Sequence, residues 1–401
     1  MIAIAYLLLS AAFSVLAEPY RYPRLVARQE NSTCVLDSLL GRVGTSSGGR
    51  KVGLVIDSSG SMSDNDPNDL RLVAAKALND ALISRSEVTS NQTADLVTAV
   101  RFSSSSSVLY PLGDPSGANS IIDSITPGGN TAIGTGIQAA IQQLTAPSND
   151  PTANRTGIIV FTDGQDNPES GKALTISETQ RAASLGIRVS FGFLTPTSEN
   201  QDIAILRAIL QSGGVYATID TASAQQAFVA LVLANGLTGL DAPGANATST
   251  LLPGISTAKF LQTGTNTFTY AAKAGETLKI TVEALDPIAL MITLRDVSAN
   301  TNIVSNTTNS KGVAVVDYTA QSAMNLEVVV SPTNASTGIF SVGLNSSIPI
   351  SNTCNNTNTT SSPSPRPSVY TGSAVSAYSG SSNLFAALAS VLSLAVAATM
   401  L

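Results

Sequence analysis

Residues 52–63, V-G-L-V-I-D-S-S-G-S-M-S, decide the fold of this chain. The segment opens with five apolar or small residues, 52–56, and a polar, turn-forming cluster follows them. Such a run is typical of a parallel strand that is buried on both faces. In an open α/β sheet, ligands bind outside the carboxyl ends of the strands. We therefore expect a ligand-binding loop to begin at Asp57.

The loop after this strand offers oxygen atoms at alternating positions. Asp57 contributes a carboxylate, and Ser59 and Ser61 contribute hydroxyl groups. Mg²⁺, Mn²⁺ and Ca²⁺ prefer oxygen ligands of this kind, and the chain contains no histidine that would favour a softer metal. The other interpretation is a tight turn in which Asp57 and Ser59 bond to their own backbone. The loop alone does not decide between a metal site and a turn.

Two distant segments complete a larger pattern. The segment G-G-N-T-A-I-G-T-G places Thr131 directly before a run with helical spacing, and T-G-I-I-V-F-T-D-G is a second buried strand that ends at Asp163. Together with the first loop, these residues resemble the metal-ion-dependent adhesion site of von Willebrand factor A domains, which integrins also contain. The resemblance implies that five residues hold a divalent cation: Asp57, Ser59, Ser61, Thr131 and Asp163.

The resemblance also implies a fold and a function. The fold is α/β, with an open, mostly parallel, Rossmann-like sheet flanked by helices. The expected cofactor is Mg²⁺, or Mn²⁺ or Ca²⁺ in its place. In the resembled family an acidic residue of a partner fills an open position on the metal. We therefore expect divalent-cation-dependent adhesion or ligand binding at the cell surface, with an extracellular protein that offers a carboxylate as the partner.

Two alternatives to adhesion remain at this point. The first is a structural cell-wall or coat protein whose A domain mediates assembly. The second is a metal-dependent hydrolase, which is disfavoured because the chain has no histidine and no second motif with a spare carboxylate. Nucleic acid is not expected as a partner, since the formal net charge is −6 and phosphate binding needs a basic patch.

Residues 49–237 form the predicted A domain because strands and helices alternate along them. This alternation indicates βαβ units and a mostly parallel sheet. After the first strand and the metal loop, the predicted helices cover residues 68–83, 131–144, 174–185, 202–210 and 222–233. The predicted strands cover residues 95–102, 108–112, 187–193 and 214–219, together with the strand that ends at Asp163.

Residues 245–350 form a second predicted domain with strand periodicity alone. Leu278, Ile280 and Val282, for example, alternate with polar residues, and turn residues recur every few positions. This pattern favours a small antiparallel β-sandwich. The segment shows no group of His, Cys or paired acids, so we assign it no chemistry.

The two ends of the chain carry targeting signals. Residues 1–17 are apolar and end in small residues, which predicts a signal peptide; the alternative is a membrane anchor at the short limit of length. An N-terminal arm, residues 18–48, follows. Residues 351–383 are rich in Ser, Thr and Pro and indicate a disordered stalk. The apolar tail, residues 384–401, is typical of a glycosylphosphatidylinositol (GPI) signal, which makes this anchor the only expected membrane contact.

The GPI signal predicts attachment at Gly372 or Ser373, and residues 379–381 offer an alternative with a shorter spacer. We therefore expect the secretory pathway and the outer face of the plasma membrane or the cell wall. In that oxidising environment Cys34 and Cys354 are predicted to form a disulfide, or else to remain free or to pair between molecules. N-glycosylation is predicted at nine sequons: Asn31, Asn91, Asn154, Asn246, Asn306, Asn334, Asn345, Asn355 and Asn358.

Overall fold

A computed structural model describes residues 48–146, 155–164, 166, 170–194, 202–219, 222–237, 250–261, 264–334 and 337–348. The predicted signal peptide, stalk, GPI tail and attachment residues, Gly372 and Ser373, lie outside these residues, as does the predicted boundary between the domains. Cys34 and Cys354 also lie outside them, so the structure does not show the predicted disulfide. No helix among the described residues is long and apolar enough to span a membrane.

Fourteen strands form two sheets in the described residues. In chain order they are β1 (Lys51–Asp57), β2 (Leu96–Phe102), β3 (Ser106–Gly113), β4 (Thr156–Thr162), β5 (Arg188–Phe193), β6 (Tyr216–Thr218), β7 (Ile255–Leu261), β8 (Asn266–Ala272), β9 (Thr277–Ala284), β10 (Leu290–Asp296), β11 (Thr301–Thr307), β12 (Val313–Thr319), β13 (Met324–Pro332) and β14 (Gly338–Ser346).

In the described part of the first domain, seven α-helices lie among the strands. They are α1 (Met62–Asn65), α2 (Leu70–Asp80), α3 (Asn119–Ile122), α4 (Ile133–Leu144), α5 (Ser170–Ser184), α6 (Ile203–Gln211) and α7 (Ala222–Leu231). Short 3₁₀ turns occur at Arg85–Glu87 and Pro115–Gly117, and a π-helical turn, Val232–Gly236, follows α7. The sequence predicted the five longer helices but neither α1 nor α3, which are single turns without a readable apolar period.

The central sheet confirms the predicted α/β fold. Its strand order is β12-β9-β14-β7-β6-β5-β4-β1-β2-β3, with β1 between β4 and β2. The strands from β6 to β2 run parallel, and β3, which contains the predicted strand 108–112, is an antiparallel edge strand. All seven residues of β1 are buried, because helices cover both faces of the sheet at its centre.

Two apolar cores lie on opposite faces of this sheet. Leu54 and Ile56 of β1 pack on one face with Leu78 of α2, whereas Val55 packs on the other with Ile137 of α4. Alternate residues of a strand point to opposite faces, so the continuous apolar run of β1 serves both cores. This arrangement fixes the position of the carboxyl end of β1.

The β-sandwich is also confirmed, but it is not a separate pair of sheets. Its second sheet has the order β11-β10-β13-β8, while β7, β14, β9 and β12 extend the central sheet of the first domain. The junction is an antiparallel contact between β6 and β7, at Ala217 and Thr257. Ala258 of β7 lies in the same apolar core as Ile137 of α4. The two predicted domains therefore share one ten-stranded sheet.

Four of the predicted glycosylation sites lie in the described residues: Asn91, Asn306, Asn334 and Asn345. All four side chains are exposed, which glycosylation requires. The other five sequons, Asn31, Asn154, Asn246, Asn355 and Asn358, lie outside the described residues.

Candidate metal centre

The carboxyl ends of β1 and β4 bring two carboxylates together. Asp57 is the last residue of β1, and Asp163 directly follows β4, its parallel neighbour. Parallel neighbouring strands end at the same edge of a sheet, so their following loops meet there. The two aspartates are 0% and 1% exposed, respectively. The site thus holds two buried acidic groups side by side.

Hydrogen bonds connect four of the five predicted residues. The Ser59 amide donates to Asp57 Oδ1 over 2.7 Å, and the Ser59 and Ser61 hydroxyl oxygens are 3.1 Å apart. The Ser61 hydroxyl donates in turn to Asp163 Oδ1 over 3.2 Å. A continuous chain of polar contacts therefore runs from one aspartate to the other through both serines.

Thr131 lies in a separate loop that the backbone holds against the first one. The Gly60 amide donates to the Gly129 carbonyl over 3.0 Å, and the Gly128 amide donates to the Ser58 carbonyl over 2.7 Å. Thr131 itself is buried and comes two residues before α4. Within the described part of the chain, no hydrogen bond joins its side chain to the other four predicted residues.

The electrostatics of the site fit a cation. Burial, with a smaller contribution from the charge of Asp163, raises the pKa of Asp57 to about 6, although hydrogen bonds from Ser59 and Thr162 act in the opposite direction. None of these groups carries a positive charge. The described residues also contain no group of three or more His, Cys, Asp or Glu that could hold a metal. Two carboxylates and three hydroxyl groups are, however, a donor set that suits Mg²⁺ with some of its water retained.

Three polar residues that the sequence pattern does not reveal also surround this centre. The Thr162 hydroxyl donates to Asp57 Oδ2 over 2.7 Å, and the Asn65 side-chain amide donates to Asp163 Oδ2 over 2.9 Å. The third is Asp166, whose buried carboxylate accepts the Ile133 amide over 2.7 Å. The one available signal was spacing, since Asn65 follows Ser61 by about one helical turn.

A buried arginine links the beginning of the metal loop to the segment that follows it. The Arg71 Nε donates to the Asp57 carbonyl over 2.9 Å, and its Nη1 pairs with Asp66 at 2.7 Å. Asp66 also accepts the Leu70 amide over 2.6 Å at the start of α2. The loop is thus fastened to the helix that follows it, and Asp66 is committed to this structural role.

Comparison with known proteins agrees with this geometry. Residues 52–165 match the family model of the von Willebrand factor type A domain. The chain contains a von Willebrand factor type A domain. The match covers most of the elements around the candidate centre, including β1, β4 and α4. No curated protein matches the sequence.

Several solved structures are similar to parts of the chain around and beyond this A domain. BatB from Bacteroides thetaiotaomicron is 23% identical, with 45% of this chain and 96% of that chain covered and a TM-score of 0.35. Proximal thread matrix protein 1 from the mussel byssus is 20% identical, with 47% of each chain covered and a TM-score of 0.36.

The pilus adhesin SpaC from Lactobacillus rhamnosus GG is 13% identical, with 74% of this chain and 39% of that chain covered and a TM-score of 0.37. At such identities and TM-scores, none of these likenesses carries an argument about the function of this A domain.

Proposed function

We propose that this chain binds a partner protein at the cell surface through a divalent cation held by its A domain. One observation carries the proposal: polar contacts run from Asp57 through Ser59 and Ser61 to Asp163 at the edge of the sheet where ligands bind. Both carboxylates are buried at this edge. A cation is the simplest group that would offset their charges.

The charge of the site supports a role in binding an anion. Only Asp57 and Asp163 among the five proposed ligands carry charge, so the protein contributes at most −2. When bound, Mg²⁺ would supply positive charge and an open coordination position. The serines and Thr131 would hold the cation without neutralising it. A carboxylate from the partner is therefore the ligand that we propose, with Mg²⁺ as the cation, or Mn²⁺ or Ca²⁺.

Catalysis is disfavoured because the two other buried acids beside the centre, Asp66 and Asp166, are already engaged. Asp66 is paired with Arg71 and holds the start of α2. Asp166 accepts hydrogen bonds from Ile133 and Thr175. Neither is free to act as a general base toward a metal-bound water, and the chain contains no histidine. We therefore infer a binding protein and not a hydrolase.

The location that we propose rests on the sequence alone. The signal peptide would direct the chain to the secretory pathway, and a GPI anchor at Gly372 or Ser373 would retain it at the surface. Release from cells by a phosphatidylinositol-specific phospholipase would test the anchor, and unchanged surface levels would contradict it.

The metal assignment is tested by calorimetric titration of Mg²⁺ and Mn²⁺ into the protein. We expect Asp57→Ala to abolish binding, because it removes one of only two carboxylates. Asp64→Ala is the matched control, since Asp64 is an exposed acid in α1 just after the same loop. It should change the affinity by less than about threefold. Equal affinity of Asp57→Ala and the wild type would show that the site is assigned wrongly.

A further inference from the structure

Asp166 connects three separate pieces of the A domain. It follows Asp163 by three residues, and only 8% of it is exposed. Its Oδ1 accepts the Ile133 amide over 2.7 Å, and its Oδ2 accepts the Thr175 hydroxyl over 2.6 Å. The Gly134 amide donates to it as well. One carboxylate from the loop after β4 thus binds both α4 and α5.

Helix α4 depends on this carboxylate at its N-terminus. The first amide groups of a helix have no partner within the helix, and a side chain before the helix often supplies one. Ala132, the residue before α4, has no polar side chain and provides no such bond. Asp166 takes its place from a distant loop, and its negative charge also suits the positive end of the helix.

Close packing holds the same helix end against α5. A Cβ atom on Gly134 would lie 2.6 Å from the Thr175 backbone nitrogen and 2.8 Å from the Leu174 carbonyl carbon. The first turn of α4 therefore touches the backbone of α5. A shift of the start of α4 relative to α5 would break the Asp166 contacts with at least one of the two helices.

We propose that Asp166 is a positioning residue that joins the loop of Thr131 to the loop of Asp163, so that the two loops respond to a bound cation as one unit. Thr131 comes two residues before Ile133, and Asp163 comes three residues before Asp166. A displacement of Asp166 away from the start of α4 would break its buried contact with the Ile133 amide. This inference rests on the proposed metal binding, because it concerns how two of the five proposed ligands move together.

Hydrogen exchange with and without Mn²⁺ tests the inference. In the wild type, saturating Mn²⁺ should slow amide exchange in residues 131–137 by at least about fivefold, because the cation at Asp163 also restrains the start of α4. In Asp166→Ser, Mn²⁺ should still bind, but this slowing should fall below twofold. Asp166→Asn keeps an oxygen that accepts from Ile133, so it should retain more of the slowing than Asp166→Ser.

Thr175→Val is the matched control. It removes one hydrogen bond to Asp166 but leaves the contacts with α4 in place. It should keep most of the wild-type slowing. Equal slowing in Asp166→Ser and the wild type would overturn the inference. The inference would also be overturned if the wild type bound Mn²⁺ without slower amide exchange in residues 131–137. This second test does not depend on the folding of any variant. Absence of Mn²⁺ binding in the wild type, seen separately by calorimetry, would overturn the proposed function and this inference with it.

Discussion

Asn65 shows how a single uncharged residue adjusts the candidate metal centre. Its side-chain amide donates to Asp163 Oδ2 over 2.9 Å, while the Ser61 hydroxyl donates to Oδ1. Asn65 thus orients the second carboxylate and leaves the charge of the site unchanged. An ionised carboxylate at position 65 would donate no hydrogen bond to Asp163 and would add a negative charge to the site.

We expect Asn65→Asp to bind Ca²⁺ about tenfold more tightly than the wild type, which corresponds to about 1.4 kcal/mol. A third carboxylate adds charge and hard oxygen donors, and Ca²⁺ accepts more such donors than Mg²⁺ does. Without a cation the variant should be less stable, because two carboxylates then face each other. Calorimetric titration and urea denaturation in EDTA measure the two effects.

Asn68→Asp is the matched control for this prediction. Asn68 is exposed in the same segment of chain, so its replacement adds the same charge away from Asp163. Its effect on Ca²⁺ affinity should be less than threefold. If the two variants bind Ca²⁺ equally well, long-range charge and not local coordination explains the gain.

At the residue scale, the sequence predicted the centre itself but not the residues that support it. Asp57, Ser59, Ser61 and Asp163 come together because each follows the end of a buried strand, and strand ends can be read from apolar runs. Asn65 and Asp166 act through contacts that depend on how helices pack. Apart from the one-turn spacing of Asn65 from Ser61, no local pattern indicates such contacts, and so they became visible only in the structure.

Helix α4 is the element that places Thr131 at the sheet edge. It lies so close to β1 that a Cβ atom on Gly136 would be 2.6 Å from Val55 Cγ1 and 3.1 Å from Phe102 Cδ1. Gly136 is buried within the helix, where glycine is otherwise unfavourable. The close approach of helix and strand explains its presence.

Gly136→Ala should therefore destabilise the protein by about 1–3 kcal/mol, because the added methyl group forces α4 away from β1. The affinity for Mn²⁺ should fall as well, since the displaced helix carries Thr131 with it. Thermal denaturation and calorimetric titration measure these changes. Gly128→Ala is the control, because a Cβ atom there meets no atom within 4 Å. A Gly136→Ala protein as stable as this control would contradict the close packing.

At the element scale, apolar periodicity located the longer helices but not their first residues. The sequence predicted α4 over residues 131–144, and the helix begins at Ile133, where Asp166 supplies the missing hydrogen-bond acceptor. It predicted α5 over residues 174–185, and that helix begins four residues earlier, at Ser170. Periodicity shows which face of a helix is buried, whereas the start depends on partners elsewhere in the chain.

At the scale of the whole molecule, the two domains are joined through β7. This strand pairs with β6 of the A domain on one side and with β14 of the sandwich on the other. Arg207 of α6 forms an ion pair with Asp286, in which Nη2 lies 3.0 Å from Oδ1 and 2.9 Å from Oδ2. The sequence did not predict this union, because alternation along a strand identifies its buried face but not its neighbours.

Lys259 lies in β7, and burial lowers the pKa of its amine to about 8 from the usual 10.5. The folded protein therefore releases this proton more readily than the unfolded chain does. The charged amine costs stability below pH 8, and the cost is relieved as the pH rises from about 8 to about 10.5. We expect this group to raise the free energy of unfolding across that range.

Lys259→Met should accordingly increase the free energy of unfolding at pH 7 by about 1–2 kcal/mol, a discounted figure because part of the side chain reaches solvent. It should also remove the rise between pH 8 and 10. Urea denaturation at several pH values measures both effects. Lys279→Met, at an exposed position of β9, should change stability by less than about 0.5 kcal/mol. If the free energy of unfolding of the wild type changed between pH 8 and 10 in the same way as that of Lys259→Met, this account would be wrong.

The shared sheet also determines how the molecule carries mechanical force. A pull between the carboxyl end of β1 and the end of β14 passes through β4, β5, β6 and β7, all of which are neighbours in one sheet. Backbone hydrogen bonds between neighbouring strands lie along this path. In the described residues, one residue pair joins β6 to β7, with a further contact from the Ser256 amide to the Thr218 hydroxyl over 3.3 Å. Under tension along this path, we therefore expect the backbone bonds between β6 and β7 to break before the longer ladders that join β1, β4 and β5.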